Sequence, residues 1–297
     1  MLFRILDKPE FRRLVEIILE SNEIIAPKQI GTKADGEKIH QFLPIESFDE
    51  MDLDYKATEF SAKTYFLPYR ENLCSFDLKE GDWDQEISYR IQPRAIIGLR
   101  AYDINGLVKL DKVLTRDRFP SPYYISRRKN TFTVGIDHMP LPDEFSQSMG
   151  ADIVTHGFDL FLTDLGDRYF VSIDSDRAFN LLHKVDVREV TDEDTNDYKE
   201  VRRRIREGFQ TEINAANLPN LLDLEFTSEV WQKWGDKCLS CGSCSMVCPT
   251  CYCYGVQEEV SMDFSKSTRV KQLYSCNLLD FAGLPAGTTS GRNSRRG

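Results

Sequence analysis

The crowding of cysteines near the C-terminal end of the sequence restricts most strongly what this chain can fold around. Seven of its eight cysteines fall between Cys238 and Cys276, and only Cys74 stands apart. Secreted proteins that depend on disulfides spread their cysteines through the fold, whereas a tight local cluster is typical of metal ligation in a reducing compartment. The sequence therefore predicts a thiolate ligand site and a cytoplasmic location.

The spacing within this cluster identifies the kind of site. The run reads C-x2-C-x2-C-x3-C-P, the pattern of bacterial-type ferredoxins, with Gly242 allowing a tight turn next to inorganic sulfide. Backbone N–H groups of such a loop stabilise the reduced, more negative cluster. We predict a [4Fe–4S] cofactor bound by four cysteines: Cys238, Cys241, Cys244 and Cys248.

Two alternatives to an iron–sulfur cluster are a zinc site and a set of free structural thiols. Zinc ribbons use two C-x2-C knuckles about 12–20 residues apart, or replace two cysteines by histidines, and no histidine lies near this run. In ferredoxins with two clusters, the fourth cysteine of each run ligates the other cluster. Cys248 is then expected to serve a second cluster, and three further cysteines are possible ligands: Cys251, Cys253 and Cys276.

Composition excludes several classes of partner. The formal net charge of −10 argues against nucleic acid and against anionic lipid. No stretch approaches the roughly 18–20 apolar residues of a membrane span, and no signal peptide is recognisable. We expect no membrane insertion.

Periodicity upstream of the cysteines predicts a mixed fold. Helical spacing follows a proline in residues 8–21, a short strand follows at 23–27, and residues 31–58 favour a hairpin and loops. The buried strands 95–101 and 131–136, joined by a helix, indicate a parallel βαβ unit; residues 159–173 predict a hairpin and 192–216 a charged helix.

The predicted fold class is therefore α+β or α/β, with a ferredoxin-like helical iron–sulfur domain after a mixed α/β domain. The expected domains are 1–225 for the α/β part, 226–283 for the [4Fe–4S] part, and 284–297 for a tail. No G-x-G-x-x-G fingerprint, Walker loop or nucleophile–base pair is present, so we predict no catalytic residues.

Other residues carry weaker signals. Arg100 and Asp103 lie at the carboxyl end of a predicted parallel strand, where α/β folds bind ligands, although Asp103 is favoured as a helix N-cap. Cys74 is expected to be a buried structural thiol. Arg269 and Lys271 are either solvated or placed to raise a cluster potential. The four scattered histidines, His40, His138, His156 and His183, are assigned to no site.

The cysteine segment also carries a family resemblance. CLSCGSCSMVCPTCYC at 238–253 and RVKQLYSCNLLDFAG at 269–283 resemble the ferredoxin-type beta subunit of sulfhydrogenases and related hydrogenases, and the A subunit of anaerobic sulfite reductase. Similar segments lie upstream: SAKTYFLPYRENL at 61–73, IIGLRAYDINGL at 96–107 and DLFLTDLGDRYFV at 159–171. The resemblance covers most of the chain.

The resemblance implies an electron-transfer subunit of a cytoplasmic anaerobic redox complex. Such a subunit relays electrons between a flavin subunit that binds NAD(P)H and a catalytic redox partner, through two [4Fe–4S] clusters in intact relatives. Ala101-Tyr102-Asp103 stands where the family often has Pro-Cys-Asp, and the stretch from Asp137 to Ser148 lacks cysteine, so we expect no extra N-terminal metal site. The alternatives are a catalytic subunit that reduces a sulfur compound and a zinc-stabilised interaction module, so whether the chain is itself an enzyme stays open.

The C-terminal residues depart from this family. After Phe281 the family has Ala-Gly followed by Val-Ala-Gly-Gly-His-Asn-Phe-Arg. Deleting one base from codons that encode this sequence changes the reading frame and gives the residues found here from Leu284 to Gly291. We hypothesise that residues 284–297 are a frameshifted, disordered tail and that the second cysteine run is lost; the alternative is a genuine flexible tail. This chain would then hold one cluster, or an incomplete one.

Overall fold

The computed structural model describes residues 2–78, 84–87, 92–116, 118–276, 278 and 281. These residues form two compact units. Unit 1 consists of the described residues within Met1–Ala62 and Ile91–Ile213, and unit 2 of those within Lys63–Arg90 and Asn214–Gly297. A segment from the first third of the chain therefore belongs to the unit that carries the clustered cysteines.

The described strands, in chain order, are β1 (Leu2–Asp7), β2 (Glu23–Thr32), β3 (Lys38–Ile45), β4 (Arg70–Asp77), β5 (Asp84–Ile87), β6 (Arg94–Leu99), β7 (Thr131–Ile136), β8 (Leu160–Asp164), β9 (Arg168–Ile173), β10 (Tyr254–Val260) and β11 (Lys266–Leu273). The described α-helices are α1 (Lys8–Leu19), α2 (Ala101–Thr115), α3 (Pro122–Asn130), α4 (Asp176–Leu182), α5 (Asp192–Glu207), α6 (Leu218–Leu224), α7 (Glu229–Gly235) and α8 (Ser243–Val247). Two 3-10 helices lie at Phe48–Glu50 and Ala62–Tyr65.

Unit 1 is built on a seven-stranded sheet in the order β1-β9-β8-β7-β6-β2-β3. The central pairs β2–β6, β6–β7 and β7–β8 are parallel, and the pairs toward both edges are antiparallel. All six residues of β7 are buried, as are five of the six in β6. Continuous apolar runs are expected for parallel strands because helices cover both faces.

Amphipathic helices supply that cover. Pro9 occupies the first turn of α1, where its missing N–H costs no hydrogen bond. The buried face of α1 presents Phe11, Leu14 and Ile18 to the core of unit 1. At α4 and α5, the hydroxyls of Ser175 and Thr191 accept hydrogen bonds from first-turn N–H groups, which fixes where these helices begin.

The structure confirms the predicted mixed α and β fold class, including the parallel βαβ unit formed by β6, α2 and β7. Two details of the sequence interpretation are wrong. Asp103 is not the N-cap of α2, because the helix begins at Ala101 and Asp103 accepts a hydrogen bond from the N–H of Arg100 at 3.2 Å. The charged helix ends at Glu207, before the C-cap residue Gly208, rather than at 216.

Unit 2 contains a four-stranded antiparallel sheet in the order β10-β11-β4-β5, together with the short helices α6, α7 and α8. The sheet joins β4 to β11, so that Cys74 pairs with Arg269. This sheet was not anticipated in a C-terminal part expected to be helical. The expected boundary at residue 225 stays a prediction, while the expected tail at 284–297 lies outside the described residues.

Among the described helices, none combines the length and the apolar character that crossing a membrane requires.

Candidate iron–sulfur centre

A tight loop and a short helix carry the first four clustered cysteines. Cys238 follows α7, and Gly242 then adopts a left-handed conformation, with φ at 74°, immediately before α8. A Cβ atom at residue 242 would lie 3.0 Å from Ser275 Cβ. Glycine is therefore required both by the backbone angle and by the close approach of the segment that follows β11.

Polar groups surround several thiols of this loop. The N–H of Ser240 donates to Cys238 Sγ at 3.4 Å, and Ser243 Oγ lies 3.2 Å from Cys241 Sγ. The hydroxyl and the N–H of Ser243 lower the pKa of Cys241. Because metals bind the thiolate rather than the thiol, these contacts favour the form that ligates.

Cys248 and Cys251 form an interacting pair. Burial opposes ionisation of Cys248, but hydrogen bonds from Thr250, whose Oγ1 lies 3.1 Å from Sγ, and from Cys251 outweigh burial and lower its pKa. The pKa of Cys251 is raised, first by burial and then by neighbouring Cys248. Of the two thiols, Cys248 is therefore the one that ionises more readily.

Two further candidate ligands, Cys253 and Cys276, lie outside the segment that carries Cys248 and Cys251. The carbonyl of Cys253 accepts a hydrogen bond from Tyr274 N at 2.9 Å, and Cys276 is exposed. All eight cysteines lie within the described residues and carry reduced thiols rather than disulfides. Across the part of the chain that the structure describes, no three His, Cys, Asp or Glu side chains lie close enough to hold one metal ion.

The structure thus brings together Cys248 and Cys251 but does not assemble the four thiols of the predicted set, whose assignment as ligands stays a prediction. The donors available on this loop are nevertheless cysteine sulfurs throughout. Soft thiolates suit iron–sulfur clusters and zinc, while the N–H and hydroxyl contacts to sulfur resemble those that tune cluster potentials. The residues present therefore fit an iron–sulfur cofactor.

Lys63 is a residue at this site that sequence reasoning missed. Its side chain is only 2% exposed, and Nζ donates to the carbonyls of Ser245 and Cys251, both at 3.0 Å. The one signal in the sequence was its place inside the family-like segment at 61–73. From Lys63 onward, that segment belongs to unit 2, together with the clustered cysteines.

The two cations that the sequence left either solvated or near a cluster each have a contact within unit 2, and the choice between these roles stays open. Arg269 Nε pairs with Glu258 Oε1 at 2.5 Å, and Lys271 Nζ lies 4.4 Å from the centre of the Tyr254 ring. Cys74 is buried on β4, as expected of a structural thiol.

Arg100 and Asp103 lie in unit 1, at the carboxyl end of β6, where a cleft of about 830 Å³ opens. The guanidinium of Arg100 donates to the carbonyls of Leu53, Tyr55 and Asp137 and stacks over the Tyr55 ring at 3.9 Å. Burial raises the pKa of Asp103 to about 6. Both residues thus connect loops to α2 and act as structural groups.

The histidines also have structural contacts. His40 bonds to Asp52, His138 to Glu144 and His156 to Thr155, while His183 stacks edge-on against Phe179.

Comparison with known proteins agrees with the chemistry of the cysteine loop. Residues 237–296 match the 4Fe-4S dicluster domain family. The chain is also 35% identical to sulfhydrogenase 2 subunit beta of Pyrococcus furiosus over 261 residues, which cover 86% of this chain and 75% of that protein.

These matches confirm the resemblance and the [4Fe–4S] cofactor expected from the cysteine spacing. The identity extends well beyond the cysteine segment and therefore includes unit 1. The chain belongs to the sulfhydrogenase beta-subunit family of iron–sulfur proteins.

Proposed function

We propose that this chain is the electron-transfer subunit of a cytoplasmic anaerobic redox complex of the hydrogenase or sulfite-reductase type. It relays electrons between a flavin subunit that binds NAD(P)H and a catalytic subunit. A bound [4Fe–4S] cluster supplies one-electron chemistry, and no residue of this chain acts on a substrate.

One observation carries the proposal: three thiols of the 238–253 loop, those of Cys238, Cys241 and Cys248, each lie within hydrogen-bond distance of an N–H or hydroxyl group. Such contacts stabilise negative charge on ligand and cluster, which favours the reduced state. The name of the similar Pyrococcus protein, a sulfhydrogenase subunit, supports assembly with partner subunits.

The predicted ligands are Cys238, Cys241, Cys244 and Cys248, with Cys251, Cys253 and Cys276 as further candidates. Within this set, the pKa of Cys248 is lowered, which favours the thiolate form that binds metal. The exposure of Cys241 and Cys244 leaves the loop accessible from solvent, which suits electron exchange with another protein.

The first test is analysis of the full chain purified without oxygen. We expect iron and acid-labile sulfide in equal amounts, and absorbance near roughly 400 nm that bleaches with dithionite. Cys241→Ser should lose a large part of the iron. The matched control is Cys74→Ala, which removes the thiol on β4 and should retain the iron content of the natural chain.

The relay is tested by adding NADH or NADPH. The chain alone should not oxidise either nucleotide. When a flavin subunit that oxidises NAD(P)H is added together with the nucleotide, the cluster should become reduced. Zinc in place of iron would instead identify an interaction module. Oxidation of NAD(P)H by the isolated chain, coupled to reduction of sulfite or another sulfur compound, would identify a catalytic reductase.

A further inference from the structure

The segment from Ser245 to Cys251 contains both thiols of the interacting pair and is held by residues far upstream. Tyr69 donates its hydroxyl to the carbonyl of Met246 at 3.4 Å. Ser245 Oγ also lies 2.7 Å from Ser275 Oγ. The segment is therefore fixed from both sides within unit 2.

The strongest of these attachments is Lys63. Its single ammonium bonds the carbonyls of Ser245 and Cys251 at 3.0 Å each, one on either side of Cys248. Charged donors form hydrogen bonds roughly twice as strong as neutral ones. Because these two carbonyls enclose the turn at Pro249, one side chain sets the distance across the turn.

The same ammonium places a buried positive charge within the thiol-bearing segment. Lys63 is only 2% exposed, and its Nζ bonds the backbone carbonyl of Cys251, whose thiol is a candidate ligand. A charge enclosed by protein is screened less by salt than one in solvent. A cluster held by this segment gains a negative charge on reduction, so a fixed cation nearby stabilises its reduced form.

We propose that Lys63 is a positioning residue for the cluster, holding Cys248 and Cys251 in the ligating conformation and raising the reduction potential with its positive charge. This proposal rests on the proposed function, since it concerns the cluster that the chain uses for electron transfer. Lys63 lies in the first quarter of the sequence, far from the cysteine loop along the chain.

The experiment compares the natural full-length chain with Lys63→Met, Lys63→Arg and Lys266→Met. Methionine keeps the length of the stem but removes charge and donors, whereas arginine keeps both. Lys266 lies exposed on β11 of the same unit, so Lys266→Met controls for net charge. Circular dichroism checks folding, and iron, acid-labile sulfide and the reduction potential are measured anaerobically.

A readout that needs no cluster separates the two proposals. Amide hydrogen exchange of peptides covering 243–251 is measured on the iron-free chains. We expect at least tenfold faster exchange in Lys63→Met than in Lys266→Met, because the carbonyl bridge is lost. If the natural chain binds no iron, the electron-transfer function fails, while exchange still decides whether Lys63 holds the segment.

With cluster bound, Lys63→Met should retain less than half the iron of the natural chain. Any remaining cluster should be about tenfold less reduced at a fixed solution potential, which for one electron corresponds to about 59 mV. Lys266→Met should match the natural chain, and Lys63→Arg should recover most of the iron.

Unchanged exchange, iron content and potential in Lys63→Met would overturn the proposal. So would a folded Lys63→Arg protein that loses iron as completely as Lys63→Met, because packing of the lysine stem would then be the cause. Should Lys63→Met fail to fold, Lys63→Arg decides: a folded protein with natural iron content supports the role, and loss of iron or of folding refutes it.

Discussion

Replacing Asp194 by asparagine should measurably destabilise unit 1. Asp194 is 1% exposed and lies in the first turn of α5. Its carboxylate accepts five hydrogen bonds, from Arg168 Nε, both terminal nitrogens of Arg188, and the N–H and hydroxyl of Thr191. One side chain thus connects β9, the segment before α5, and the helix itself.

The size of the effect follows from what asparagine cannot do. It keeps one acceptor oxygen but presents an NH2 group to donors. The guanidinium of Arg188 then loses the carboxylate it pairs with, and Arg168 keeps Asp167 and Asp197 but loses its third partner. Removing one member of a buried ion pair costs about 3–5 kcal/mol. Because the Arg188 side chain is 47% exposed, we expect the lower end, about 3 kcal/mol.

Urea unfolding followed by far-UV circular dichroism measures this cost. Asp192→Asn is the matched control, since it removes the same charge from an exposed position in the same turn. That control should lose only about 0.3–1 kcal/mol, the value of a carboxylate at a helix N-terminus.

The pH dependence provides an independent check. Hydrogen bonds from Arg188 and the other donors hold the pKa of Asp194 far below its ordinary 3.8. A depressed pKa in the folded state gives stability that is present above about pH 4 and is lost as the pH falls further. The difference between natural and Asp194→Asn proteins should be constant from pH 8 to 5 and shrink below 4. A cost equal to that of Asp192→Asn would refute the reasoning.

Three further predictions concern other positions. Burial raises the pKa of Asp103 from 3.8 to about 6, so the natural chain loses stability as the pH rises through this interval. The difference in unfolding free energy between Asp103→Asn and the natural chain should therefore shift in favour of the variant by up to about 3 kcal/mol from pH 4 to pH 8. Urea unfolding at both pH values measures this shift. Gly98→Ala should cost about 2–4 kcal/mol, because Gly98 has φ at 95° and an added Cβ would lie 2.9 Å from Pro27 Cδ; thermal unfolding reports it. Gly255→Ala should lower the iron bound per chain. The added Cβ would lie 2.2 Å from the ring of Tyr274 and displace this residue, whose backbone N–H donates to the carbonyl of Cys253.

Each of these three has an outcome that contradicts it. A stability difference for Asp103→Asn that does not vary with pH would mean that the carboxyl group is not desolvated. A Gly98→Ala protein as stable as the natural chain would show that β6 relaxes freely at residue 98, where its pairing with β7 shifts register between Ile97 and Leu99. Full iron content in Gly255→Ala would mean that iron binding by the cysteine loop does not depend on the position of the Tyr274 ring.

Local sequence was sufficient where one segment carries the whole signal. The spacing of Cys238 to Cys248, read without any fold, predicted the [4Fe–4S] cofactor that the family matches confirm. The apolar runs of β6 and β7 predicted buried parallel strands because strands covered on both faces need no polar alternation.

Local sequence failed where competing local choices exist. Asp103 is a good N-cap residue, yet the N-cap of α2 is Arg100, three residues earlier, and Asp103 accepts a hydrogen bond from the Arg100 N–H from inside the helix. The charged pattern after 192 suggested helix to 216, but the structure ends α5 at Glu207. Propensity identifies such elements, whereas tertiary packing decides their ends.

The sequence alone determined the chemistry of the cysteine loop and the α/β character of the chain, because thiolate spacing and apolar periodicity are short-range properties. Only the tertiary structure decided that Lys63 and β4 join the cysteine unit, through pairing of β4 with β11 and two hydrogen bonds from one ammonium. Pairing between distant segments depends on which surfaces bury each other, and no local window of residues contains that information.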